Sequence, residues 1–244
     1  MLKRLTMKNY ILLITFIFYQ SFIIKTKAQT DSSLLVKRCL DFNMTGKGDN
    51  SEWQKATWTR LTKIDSGGKE NKTQFKVMYS QTGVYVLFEG NDSKITSKFN
   101  HDGDDLYDAD VFEVFLHPVP TSPLYFEYEI NPLGKELVLL ITNKNGKFSA
   151  WLPWYRVEKH AQKKVYINGG KMKHGSPSKS WSAEIFLPYQ LIDPLVAEAP
   201  VSGTRWNANF CRLDYDSGKM IKFSWSPIKV AFHEFEKYRS IKFE

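Results

Sequence analysis

Val111-Phe112-Glu113-Val114-Phe115-Leu116 and, after a turn, Leu124-Tyr125-Phe126-Glu127-Tyr128-Glu129-Ile130 decide the fold. Both are rich in aromatic and β-branched residues, and a strand turns successive side chains to opposite faces. In the second run Tyr125, Glu127 and Glu129 share one face, and Phe126, Tyr128 and Ile130 the other. In the first, Glu113 shares a face with Val111 and Phe115. A carboxylate on an apolar face either finds a cationic partner at the rim or lines a site.

Similar runs recur outward from this pair. Gln74–Ser80, Val84–Glu89 and Glu136–Thr142 read as strands, as do Lys164–Ile167, Trp181–Leu187, Trp206–Leu213 and Lys222–Trp225. Turn chemistry separates them, as in Gln81-Thr82-Gly83, Asn131-Pro132-Leu133-Gly134, Asn168-Gly169-Gly170 and Asp216-Ser217-Gly218. Helical periodicity is thin, with one turn expected at Pro188–Ile192. Many short strands at regular spacing predict an all-β protein, a single-domain antiparallel β-sandwich of the jelly-roll or immunoglobulin-like kind. Trp53, Trp181, Trp206 and Trp225 are expected in its core.

The 244 residues carry a net charge of +8, which at first points to nucleic acid or anionic membranes. Its distribution removes that reading. Residues 1–30 hold Lys3, Arg4, Lys8, Lys25 and Lys27 and no acid, so the remainder carries only +3. Three basic residues, the apolar run Tyr10–Ile24 and the small Ala28 form the pattern of a secretory signal over residues 1–28, with cleavage between Ala28 and Asp31. The apolar run is short for a membrane span. The mature region, 29–244, is expected to be secreted or periplasmic, with no membrane span and no nucleic-acid partner. Export permits a disulfide between Cys39 and Cys211, which would tie the two ends of the domain together; the alternative is two buried thiols.

The order of motifs over residues 45–244 resembles family 9 carbohydrate-binding modules, which occur attached to xylanases and as secreted bacterial proteins. The resemblance rests on Trp53-Gln54-Lys55-Ala56, on Gly83-Val84-Tyr85-Val86 followed by Asp92, and on Tyr107-Asp108-Ala109-Asp110 leading into VFEVFL. It continues through Tyr128-Glu129-Ile130-Asn131-Pro132-Leu133-Gly134, Trp181–Pro188 and Gly203–Arg212. It closes on Trp225-Ser226-Pro227, Phe232-His233 and Tyr238, with Arg239 in place of the family's final glycine.

What the resemblance implies is a β-sandwich that binds sugar without catalysis of its own and supports carbohydrate catabolism. Its ligand would be an oligo- or polysaccharide such as xylan, and its partners glycoside hydrolases acting on the same glycan. The two tryptophans that clamp a terminal sugar in the family map to Tyr107 and Phe232. Glu113 and Asn131 fall where members hydrogen-bond hydroxyls, and Glu129 falls where they carry an arginine. Flat apolar rings with a few oriented polar groups are also what a sugar site needs on physical grounds, and Tyr107, Glu113, Glu129, Asn131, Phe232 and His233 supply that set.

Members can carry structural calcium, and Asp92 sits in a plausible position for it. The acidic stretch Asn100–Asp110, with Asp108, offers hard oxygen ligands, or else is a solvated loop. No cofactor is otherwise expected. The competing reading is a xylanase-like glycoside hydrolase with Glu113 and Glu129 as the acid and base pair, which requires the carboxylates to flank a glycosidic bond.

Overall fold

A computed structural model describes residues 33–64, 71–151 and 160–244. The leader read at residues 1–28 lies outside them. The described residues belong to one unit, Ser32–Glu244. None of their helices is long and apolar enough to cross a membrane.

The chain forms two facing sheets. One runs β10 (Gln162–Asn168), β11 (Ser180–Pro188), β5 (Gly83–Asn91), β4 (Thr73–Tyr79), with the short β2 (Thr59–Arg60) on β4. We call it the first sheet. The second runs β14 (Arg239–Phe243), β12 (Arg205–Asp214), β6 (Val111–His117), β7 (Leu124–Ile130), β8 (Glu136–Lys144), β9 (Lys147–Trp151). On it, β13 (Ile221–Ser224) pairs with β12 and β3 (Thr62–Lys63) with β13. Among the described residues the single α-turn is α1, Tyr189–Ile192.

The two runs that decided the fold form adjacent antiparallel strands, β6 and β7, with the expected alternation. Phe112, Val114, Leu116, Phe126, Tyr128 and Ile130 enter the core between the sheets, where apolar burial is the main stabilising term. Aromatic stacks cross the interior. Phe112 lies 4.8 Å from Phe88 and 3.8 Å from Trp181, and Phe75 lies 4.0 Å from Phe210. Trp53, Trp181, Trp206 and Trp225 are all buried, as expected.

The sandwich departs from pure antiparallel pairing at β1 (Leu34–Arg38), which the sequence reading omitted. Its first residues run parallel to β14 and its last two parallel to β4, so this strand closes one side of the sandwich. Five residues, LLVKR, are too short to show a period.

The expected disulfide is corrected. Both cysteines are buried thiols. Cys39 packs with Trp53, Met78 and Tyr85, and Cys211 with Val111, Phe115 and Leu213. The first cluster lies on the outer face of the first sheet and the second on the outer face of the second sheet, so a bridge would have to pass through the core. Cys39 Sγ donates instead to the Tyr79 carbonyl, and Cys211 Sγ contacts Ser224 Oγ.

A candidate saccharide site on the outer face of the second sheet

The site grows from the residues of β6 and β7 that turn away from the core. In register, Glu113 stands opposite Glu129, and Phe115 opposite Glu127. Alternation therefore brings three carboxylates to one face, not the two singled out from sequence. Glu127 was legible as the same-face neighbour of Glu129; what sequence lacked was the register that sets it beside Glu113.

Segment 226–238 roofs this face. Ile228, Phe232 and Tyr238 pack with Phe115 and Tyr125, and the ring of Phe232 lies 6.3 Å from that of Phe115. Tyr238 Oη donates to the Phe232 carbonyl at 2.8 Å. Glu234 Oε1 accepts from the N–H groups of Lys229, Val230 and Ala231, which holds the turn.

The carboxylates are nearly out of water, Glu113 at 2% exposure, Glu127 at 3% and Glu129 at 1%. Among the described residues, no Lys or Arg pairs with any of them. Burial, reinforced by mutual repulsion, raises Glu113 and Glu129 well above the usual carboxylate range; burial brings Glu127 to about 8. The group thus retains protons at neutral pH and can both donate and accept hydrogen bonds. Glu127 and Glu129 lie in hydrogen-bonding reach of one another, so a retained proton can be shared between them, and among the described residues no other group donates to Glu127 Oε2 or Glu129 Oε2.

Tyr107 sits at the rim on the short 3-10 turn Leu106–Asp108, which buried Leu106 anchors. Tyr215 Oη donates to its carbonyl. The ring is 42% exposed. Its phenol is pushed up by partial burial and by the carboxylates of Asp105, Asp108 and Glu129, so Tyr107 and Glu129 are electrostatic neighbours. Phe232 differs: at 7% exposure it is packed in the roof and makes no ring contact with Tyr107 among the described residues.

His233 stacks on Phe148 of β9 at 4.1 Å. Its Nδ1 is 2.8 Å from Tyr125 Oη and 4.0 Å from Glu127 Oε2. Burial lowers it to about 4, so the ring is neutral at pH 7. Phe148, half exposed, was absent from the sequence reading because β9 reads as an ordinary polar edge strand. Asn131 is committed elsewhere. Its Oδ1 accepts from Leu133 and Lys135 N–H, and its Nδ2 donates to Ser97 Oγ and the Phe99 carbonyl. It shapes the turn after β7 rather than offering a free amide. The fold thus gathers Glu113, Glu127 and Glu129, with Tyr107 at one end and Phe232 and His233 above.

The acids form a second cluster. Asp92, Asp110 and Asp216 bring ligand oxygens within 4.8 Å of one another. Asp108, the candidate read beside Asp92, is exposed and lies outside this group. The acid that joins Asp92 is Asp110, immediately before β6, where its two oxygens accept from Thr96 and Tyr215 N–H. Arg212, fully buried, pairs with Asp92 at 3.0 Å and Asp214 at 3.1 Å. Among the described residues Asp216 Oδ1 has no hydrogen-bond partner. The donor set is all oxygen and suits a hard divalent cation.

Residues 44–139 match the family described as carbohydrate family 9 binding domain-like. Over those residues the chain is similar to that family. A comparison with curated proteins returns no match. Among solved structures, the family 9-like fold here is similar to a putative carbohydrate-binding protein from Bacteroides uniformis, with TM-score 0.67 and 15% identity over 87% of this chain and 99% of that one. It is also similar to a family 9 carbohydrate-binding module from Caldicellulosiruptor kristjanssonii solved with cellotriose, with TM-score 0.64 and 15% identity over 87% of this chain and 93% of that one. The same type of module from that organism was solved with glucose (TM-score 0.60, 14% identity, 86% and 95% coverage). The β-sandwich expected from the strand pattern and motif order is the fold observed, and these structures share it.

Proposed function

We propose that this protein is exported and binds an oligo- or polysaccharide, without cleaving it, at the Tyr107 end of the outer face of the second sheet. One observation carries the reading: an exposed aromatic ring, Tyr107, stands in electrostatic reach of the buried carboxyl of Glu129. Pyranose faces pack on such rings, and sugar hydroxyls bond to carboxyl groups. The family match and the saccharide complexes of similar modules support the same ligand class. Binding in service of carbohydrate catabolism, beside glycoside hydrolases that act on a glycan such as xylan, follows from that class.

The hydrolase alternative fares worse. Glu113 and Glu129 are direct cross-strand neighbours facing the same way, about 5 Å apart at their Cβ atoms. That separation would suit a retaining pair, but both carboxyls are nearly out of water, at 2% and 1% exposure. A structural calcium ion held by Asp92, Asp110 and Asp216 would fix the loop before β6 and, through it, the position of Tyr107.

Calorimetry with glucose and with cello- and xylo-oligosaccharides tests the reading. Binding is expected, with about tenfold or greater loss on Tyr107→Ala. No binding to any saccharide, or binding indifferent to Tyr107→Ala and Glu129→Gln, overturns it. Release of reducing ends, abolished by Glu113→Gln, would instead establish the hydrolase.

A further inference from the structure

Strand β12 changes partner along one edge. Arg205–Ala208 pair with β14, Cys211–Asp214 with β13, and Asn209 and Phe210 lie between. The change opens a notch, a cleft of about 370 Å³ whose walls include Trp225 and Ser226 at the end of β13, Arg239 at the start of β14, Lys63 of β3 and Lys229. Among the described residues no carboxylate lines it. A neighbouring cleft of about 250 Å³ shares Lys63 and adds Arg60 and Lys72, again with no carboxylate among its described walls. None of these five cations has an ion-pair partner among the described residues.

The notch is built, not merely charged. The Arg239 guanidinium lies 5.6 Å over the Trp225 ring, which orients its planar fork. Arg239 N–H donates to Ser226 Oγ. Asn209 Oδ1 accepts from Ser226 N–H, Ser224 Oγ and Phe210 N–H, pinning the wall from beneath. Cations lining one cleft without an ion-pair partner among the described residues, with one guanidinium oriented on a ring, call for an oxyanion.

We infer that the notch between β13 and β14 binds the oxyanion of an acidic saccharide, a uronate carboxylate or a sulfate ester, through Lys63, Lys229 and Arg239. The inference takes its polymer class from the saccharide reading above, but its site is separate. It places the specificity for charged glycans away from Tyr107, on the outer edge beside β3.

The test is calorimetry at low and at physiological salt with three probes: a galacturonate oligomer, a sulfated oligosaccharide and a neutral xylo-oligosaccharide. Each is run on the native protein, on Lys63→Glu/Lys229→Glu and on Tyr107→Ala, with melting curves to confirm folding; Lys63→Gln/Lys229→Gln replaces the first variant if it melts early. At least one acidic probe is expected to bind more tightly than the neutral one, to weaken with salt and to lose about tenfold or more in the lysine variants, while Tyr107→Ala leaves that preference intact. Whichever acidic probe binds identifies carboxylate or sulfate as the group. Equal binding of acidic and neutral probes, or indifference to the lysine variants, overturns the inference. So does equally tight binding of short polyphosphate, which would make the notch a general anion surface. No binding of the neutral probe to the native protein, with acidic binding kept, would sink the Tyr107 site and leave this one standing.

Discussion

Glu113 and Glu129 face each other across β6 and β7, both buried and, among the described residues, neither paired with a Lys or Arg. Two like charges cannot both be held there out of water, so the pair, with Glu127, retains protons that the unfolded chain gives up. A carboxylate raised by burial contributes stability that is present in full below its unfolded pKa and lost as pH rises through its folded pKa. For Glu127 that window runs from the ordinary carboxylate range to about 8.

Thermal melting should therefore show a fall in Tm between about pH 5 and about pH 8. Glu127→Gln, which keeps shape and removes the charge, should flatten that fall and raise Tm at the alkaline end. An unchanged pH profile in this variant would mean that Glu127 is ionised and solvated in the native protein.

Arg212 is the opposite case, a buried cation with two carboxylate partners, Asp92 and Asp214. Truncating one member leaves the others buried and unpaired. Arg212→Met should cost about 3–5 kcal/mol, read as a lowered urea midpoint with unchanged slope. A loss below about 1 kcal/mol would mean that the pair is open to solvent.

The thiols should behave as inert core groups. Burial lifts Cys39 to about 12 and Cys211 well above its usual value. Native protein is expected to resist alkylation, to react at both positions only after unfolding, and to melt at the same temperature with and without reductant. A reductant-dependent Tm would restore the disulfide.

If calcium occupies Asp92, Asp110 and Asp216, chelation should lower Tm and added Ca²⁺ should restore it. Asp216→Asn should remove the calcium response. Lanthanide luminescence provides a readout independent of stability. A melting curve that ignores both chelator and Ca²⁺ leaves the acids as partners of Arg212 and of backbone N–H groups alone.

Much of the fold was legible because its strands carry their own period. LYFEYEI alternates so strictly that its inner and outer faces could be named residue by residue, and the sheet keeps that assignment. β1 and β9 were not legible, since five-residue strands at an edge or a seam show neither a clear period nor a buried face in sequence. The site was half legible. Glu113, Glu129 and Tyr107 do converge, whereas Asn131 spends its amide on its own turn and Phe232 joins the roof. Both outcomes depend on where other segments pack.

By itself the sequence determined the alternation, the aromatic core and the order of motifs, because these depend only on neighbours along the chain. Tertiary structure alone decided what lies beside what. Register set Glu127 next to the Glu113–Glu129 pair, partner exchange along β12 opened the cationic notch at Arg239, and the placement of Cys39 and Cys211 on opposite outer faces kept them apart. Each is a contact between residues distant in sequence, fixed by how two sheets bury their apolar faces against each other.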